Sequence, residues 1–262
     1  METNGKNSQT TRLTEGCIWK QIIAFALPLF VGNLFQQLYN TADSLIVGNF
    51  LGSNALAAVS SSGNLIFLMV GFFQGIAVGA GVVIARYYGA DDDKEVNKAV
   101  HTTVAFGLAA GVFLTICGTL LTSRILIWMG TPADVLPESA VYFRIFFLGS
   151  LSFVMYNVFV GILQSVGDSR HPLIYLVISS VINILLDLLF VAVLGFGVGS
   201  AAVATILSQF FSAFLCLYRL TRKSPEAYRV YIRQIRFDLP MLKQIIANGL
   251  PAGFQNSIIA LA

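Results

Sequence analysis

Six long stretches of this chain contain no Asp, Glu, Lys or Arg: residues 21–42, 44–85, 99–123, 145–167, 188–218 and 244–262, with a shorter one before Asp187. A bilayer core about 30 Å thick takes roughly 20 apolar residues in a helix, and each long stretch is about that length or longer. Only 11% of the 262 residues are charged and 56% are hydrophobic. A soluble domain carries about 25% charged residues, so this chain could not cover a water-facing surface. An all-α integral membrane protein is the class that remains. The net charge of +3 comes from clustered Lys and Arg, so no nucleic-acid partner is implied. Cys17, Cys117 and Cys216 are too few and too scattered for a disulfide framework or a zinc site.

Glycines and polar residues divide the runs. Gly48, Gly52, Ser53 and Asn54 separate a first helix near 18–47 from a second near 55–87. The third falls near 96–122 and the fourth near 138–165. Gly195, Gly197 and Gly199 part a fifth near 172–194 from a sixth near 199–221, and a seventh starts near Leu242. The domain division follows: a polar tail over 1–17, a six-helix lobe over 18–221, a basic linker over 222–241, and the start of a second lobe over 242–262. With the N-terminus inside, 14 Lys and Arg fall on the cytoplasmic side, and only Arg124 and Arg144 lie outside. That asymmetry fixes a cytoplasmic N-terminus in a plasma (bacterial inner) membrane. The tail is too polar, and the apolar segment after it too long, for a signal peptide.

Lys20-Gln21-Ile22-Ile23-Ala24 recurs as Lys243-Gln244-Ile245-Ile246-Ala247, and Leu27-Pro28 recurs as Leu250-Pro251, both at an offset of 223 residues. Six helices lie between the copies, so both cross the membrane in the same direction. Such parallel repeats build two-lobed secondary transporters. The expected whole has twelve helices, with a missing C-terminal lobe supplied by the same gene or by self-pairing. Without that lobe the seventh helix should be poorly held.

Asp187 falls about sixteen residues into the fifth helix, where a charge costs about 2.5–3.5 kcal/mol to insert. Asn183 lies four residues earlier on the same face. A proton or sodium site explains an ionisable group there better than a helix–helix hydrogen bond, which Asn alone would serve. Asn33, Gln36 or Gln37, Asn40 and Asp43 form a second polar stripe on the first helix, whose last member would also suit a simple helix cap. Pro28 interrupts the hydrogen bonding of that helix and predicts a kink there. Tyr142, Asn157 and Thr205 read by themselves as an interfacial anchor and interhelical glue. Gly75, Gly79 and Gly81 suit close helix packing. Walker A, HExxH and triad patterns are all missing, and His101 and His171 are isolated in sequence. No enzyme and no cofactor is expected, and transport would run on an ion gradient.

Several stretches resemble the multidrug and toxic compound extrusion (MATE) family. They include Asp43-Ser44-Leu45-Ile46-Val47-Gly48, Arg86-Tyr87-Tyr88-Gly89-Ala90, and the loop from Leu163 to Pro172. The most specific is Asn183-x-x-x-Asp187 followed by Gly197-Val198-Gly199-Ser200-Ala201-Ala202-Val203-Ala204-Thr205. The resemblance implies one six-helix lobe of a twelve-helix antiporter that exports amphipathic, often cationic, organic molecules in exchange for protons or sodium. In the branch that includes DNA-damage-inducible protein F, it implies an acidic pair, here Asp43 and Asp187. Asn183 and Thr205 match residues that help hold the coupling cation, sodium or proton. Tyr142 and Asn157 match further members of that network, with Gln36 and Asn40 supporting, and Pro28 matches the hinge. A lipid-linked oligosaccharide flippase of the same superfamily and a non-transporting scaffold or channel subunit are the alternatives.

Overall fold

The structure is a computed structural model that describes residues 18–261, with the side chains of 18, 61–70 and 259–261 left out. The tail over 1–17, with Cys17, and the terminal Ala262 lie outside the described residues. The described chain is helical: α1 (Ile18–Leu51), α2 (Ser53–Gly89), α3 (Asp93–Trp128), α4 (Leu136–Leu148), α5 (Ser150–Ser165), α6 (Arg170–Asp187), α7 (Gly199–Tyr218) and α8 (Leu239–Leu261). Gly52, at φ 88°, makes the one-residue turn between α1 and α2, in a backbone region that side chains with a Cβ seldom enter. Asp92 caps α3 by accepting the Glu95 N–H at 3.2 Å.

The surface is inverted relative to a soluble protein. Phe113, Leu120, Val193 and Phe210 are exposed, while Asp43, Thr122, Ser139, Asn183 and Asp187 are buried. Lipid is the solvent that suits this arrangement. Among the described residues, α1, α3, α6 and α7 are long and apolar enough to cross a bilayer, and the bent pair α4–α5 makes a fifth such span.

That bent pair corrects the single fourth helix expected near 138–165. The chain breaks at Gly149, and α4 meets α5 at 50°. A Gly-Ser pair is a common place for a sharp kink, and here the glycine also has a packing reason. A Cβ on Gly149 would run into the Ile206 side chain of α7. Pro28 lies inside α1, which continues as one helix to Leu51, and Pro251 lies inside α8 in the same way. The two copies of the repeat therefore share a structural setting.

A main core joins α2, α3, α5 and α7 around Ile84, Val100, Phe159, Leu163 and Cys216. It also takes in Tyr228 and Val230 from the segment after α7, and Met241 and Ile245 from α8. A second cluster at the other end of the bundle gathers Val47, Ala55, Tyr142, Val191 and Ala201. The expectation that the last helix would be poorly held is not met. α8 lies along α2, with Gly75 against Gly253 and Gly79 against Gly249 at backbone contact. Small residues on both helices permit that approach. α8 also starts at Leu239 rather than Leu242, because Asp238 accepts the Met241 N–H at 3.0 Å and so sets its first turn.

Candidate functional site

α1 and α6 pack side by side, and each brings one carboxylate to their shared face. Asp43 is 8% exposed and Asp187 is fully buried. Regular α winding stops at Asp187, and a π-helical stretch over Leu188–Val193 follows. Such π insertions widen a helix and recur at functional positions. The two carboxyl groups are close enough to interact directly. Asp43 Oδ1 and Asp187 Oδ1 are both buried without a hydrogen-bond donor among the described residues.

Asn183 closes the site from one side. With its amide nitrogen turned to the acid, Nδ2 donates to Asp187 Oδ2 at 3.2 Å, and its oxygen accepts the Thr205 backbone N–H at 3.2 Å. That second bond ties α7 into the group, while the Thr205 hydroxyl donates within α7 to the Ala201 carbonyl at 3.1 Å. Tyr142, 5% exposed, shares a buried cluster with Val47 and Val191, each one helical turn beyond one of the acids. Asp43, Asp187, Asn183, Thr205 and Tyr142 thus converge. Tyr142 is inside the bundle and not an interfacial anchor.

The remaining sequence candidates lie next door. Gln36, Asn157 and Pro28 line a cavity of about 230 Å³, together with Gln74, Gln164 and Gln209. Asn157 donates to the Phe153 carbonyl of its own helix at 2.9 Å. Asn40 donates to Gln37 at 3.3 Å, on the more open side of α1.

Sequence reasoning passed over both Tyr39 and Gln209. Tyr39 lies on α1 one turn before Asp43, and Gln209 lines the cavity from α7. A helical-spacing signal was there for each: Tyr39 lies four residues before Asp43, and Gln209 four residues after Thr205.

The histidines isolated in sequence are engaged in the fold. His171 donates Nδ1–H to Asp168 at 2.8 Å, and the same carboxylate accepts Arg219 Nη2 at 3.4 Å. This buried cluster ties the α5–α6 loop to the end of α7.

All donors around the acidic pair are oxygens or amides, and the described residues hold no group of three or more His, Cys, Asp or Glu side chains suited to a metal ion. The arrangement can hold a proton or a small hard cation. The MatE family model matches residues 28–189, well over half of the chain. The chain belongs to the MatE family.

This MatE chain is 33% identical, over its whole length, to the probable multidrug resistance protein YoeA of Bacillus subtilis (strain 168), of which it covers 58%. It is 28% identical over 93% of its length to the probable multidrug resistance protein NorM of Thermotoga maritima, covering 53% of that protein. The chain therefore spans a little over half the length of these curated relatives. Among solved structures, it superposes with a TM-score of 0.89 and 30% identity on a MOP superfamily transporter from Pyrococcus furiosus, covering 98% of this chain and 56% of that one. The inward-facing conformation of a multidrug resistance MATE family transporter gives 0.80 at 30% identity, covering 86% of this chain and 51% of that one. MatE proteins are transporters, and this one is a multi-pass membrane protein.

Proposed function

We propose that this chain forms the first lobe of a cation-coupled antiporter, which exports amphipathic organic compounds across the plasma membrane with its N-terminus in the cytoplasm. The pair Asp43–Asp187 carries the proposal. Two carboxylates at that range cannot both stay charged at low cost, so one proton between them satisfies both donor-less oxygens. A sodium ion would be held by the same carboxylates with the Thr205 hydroxyl, and with the Asn183 amide turned so that its oxygen, not its nitrogen, faces the acids. Losing the ion leaves two like charges on α1 and α6, which favours a different packing of those helices. An ion that binds one packing better shifts the balance between inward- and outward-facing states. Drug export is supported by relatives such as the multidrug export protein MepA of Staphylococcus aureus, 23% identical over 94% of this chain.

The test is drug accumulation in cells that express the complete gene. Asp187→Asn and Asp43→Asn keep size and hydrogen bonding but remove the titratable group. Both should raise accumulation to the level of cells without the transporter, at normal membrane abundance. Normal export by a well-expressed Asp187→Asn protein would overturn the coupling role.

A further inference from the structure

The segment between α7 and α8 is pinned onto the first turns of α3. His101 Nε2 accepts the Tyr231 N–H at 3.0 Å, while its Nδ1–H donates to the Asn97 carbonyl at 2.8 Å. The imidazole lies parallel to the Tyr231 ring. Thr102 Oγ1 accepts the Asp238 N–H at 3.3 Å. Between strap and helix lies a second cavity, of about 390 Å³, lined by Lys98, His101, Thr102, Arg233, Arg236 and Asp238 among others.

Charge and depth both limit what this cavity can take. Lys98 is paired with Glu95, but Arg233 and Arg236 take part in none of the ion pairs found among the described residues. Asp238 is the acidic residue in the lining, and its Oδ1 is engaged in capping α8. The two guanidinium groups therefore supply most of the uncompensated charge, in the planar, forked form that suits phosphate oxygens. Lys98 is the last charged residue before the uncharged run 99–123, which puts the cavity at the boundary between headgroups and hydrocarbon. Ile232 and Leu239, 70% and 73% exposed, flank the arginines together with exposed Phe237. Cations facing a pocket beside unpartnered apolar side chains fit a molecule with a phosphate head and an acyl body.

We infer that the pocket between α3 and the α7–α8 strap is a seat for an anionic phospholipid headgroup, whose phosphate bridges Lys98 on the lobe and Arg233 and Arg236 on the strap. The lipid then clamps the strap, and so the position of α8, to the lobe. The inference needs a bilayer at this depth and is independent of the coupling reading of Asp43 and Asp187.

The complete protein, purified in detergent, is titrated with phosphatidylglycerol, phosphatidylcholine or inorganic phosphate while thermal unfolding is followed. Phosphatidylglycerol should raise the melting temperature, and the other two should not. Arg233→Gln/Arg236→Gln should weaken the phosphatidylglycerol response on the order of ten- to thirty-fold and leave melting in phosphatidylcholine unchanged. Arg222→Gln/Lys223→Gln removes as much charge from the neighbouring stretch and should keep the response. An equal response in the Arg233/Arg236 variant, an equal loss in the Arg222/Lys223 variant, or a shift with inorganic phosphate alone would each overturn the inference. Both arginines are exposed, so the variant should fold. If it does not, Lys98→Gln with quantification of the phosphatidylglycerol retained after purification decides the matter, and undiminished retention overturns the inference.

Discussion

Asp168 is the residue whose charge the lobe should miss most at the end where α7 stops. It is almost fully buried, and it faces His171 on the next helix and Arg219 across the bundle. Asp168→Asn leaves Arg219 buried without its counter-ion, and breaking such a pair costs about 3–5 kcal/mol. The complete protein should show a clearly lower melting temperature, and an unchanged one would mean that Arg219 is held by other groups. Asn183 tests a milder effect. Asn183→Ala removes a donor to Asp187 and an acceptor for Thr205, so export should fall without vanishing in the accumulation assay, at full membrane abundance. Asp187 and Asn183 were legible in sequence because a charge in an apolar run has few innocent readings. Tyr39 and Gln209 were harder to see, since a tyrosine and a glutamine in a span are ordinary until a neighbour four residues away gives them a direction. Arg233 and Arg236 read only as two of many linker cations, because nothing local shows that His101 and Thr102 will draw the strap onto α3.

Elements were predictable where punctuation was strong. Gly52 and the glycines from Gly195 to Gly199 part the helices as expected, and α3 and α6 fall on their apolar runs. The break at Gly149 was not visible, because it lies within an uncharged stretch and the neighbour that leaves no room for a Cβ there, Ile206, is fifty-seven residues away in sequence. Gly149→Val should therefore push α7 off the bend and cost about 1–3 kcal/mol by overpacking, seen as a lower melting temperature. The seat of α8 was unforeseen for a related reason. A sequence can show small residues at four-residue spacing but not which partner they meet. Gly79→Leu should drive α8 away from α2, where Gly249 leaves no room. A disulfide engineered between the two helices, formed readily in the parent protein, should then fail to form. Efficient cross-linking in the Gly79→Leu protein would contradict the packed seam.

For the whole molecule, the distribution of Lys and Arg sets the proposed direction of crossing. Single cysteines at Asp92→Cys and Arg229→Cys, in a protein otherwise free of cysteine, should react with an impermeant thiol reagent only from the cytoplasmic side, and Asn54→Cys only from outside. Labelling of Asn54→Cys from the cytoplasm would reverse the topology. The central claim is that an ion held between Asp43 and Asp187 is exchanged for substrate, and it is tested most directly in proteoliposomes that contain the complete protein. An organic cation that the accumulation assay identifies as exported, added on the side from which it is taken up, should drive a counter-flow of protons or sodium, read with a pH-sensitive dye or a sodium indicator. Asp187→Asn, reconstituted to the same density, should abolish that counter-flow. A drug-driven ion flux of parental size in Asp187→Asn would show that coupling lies elsewhere in the protein.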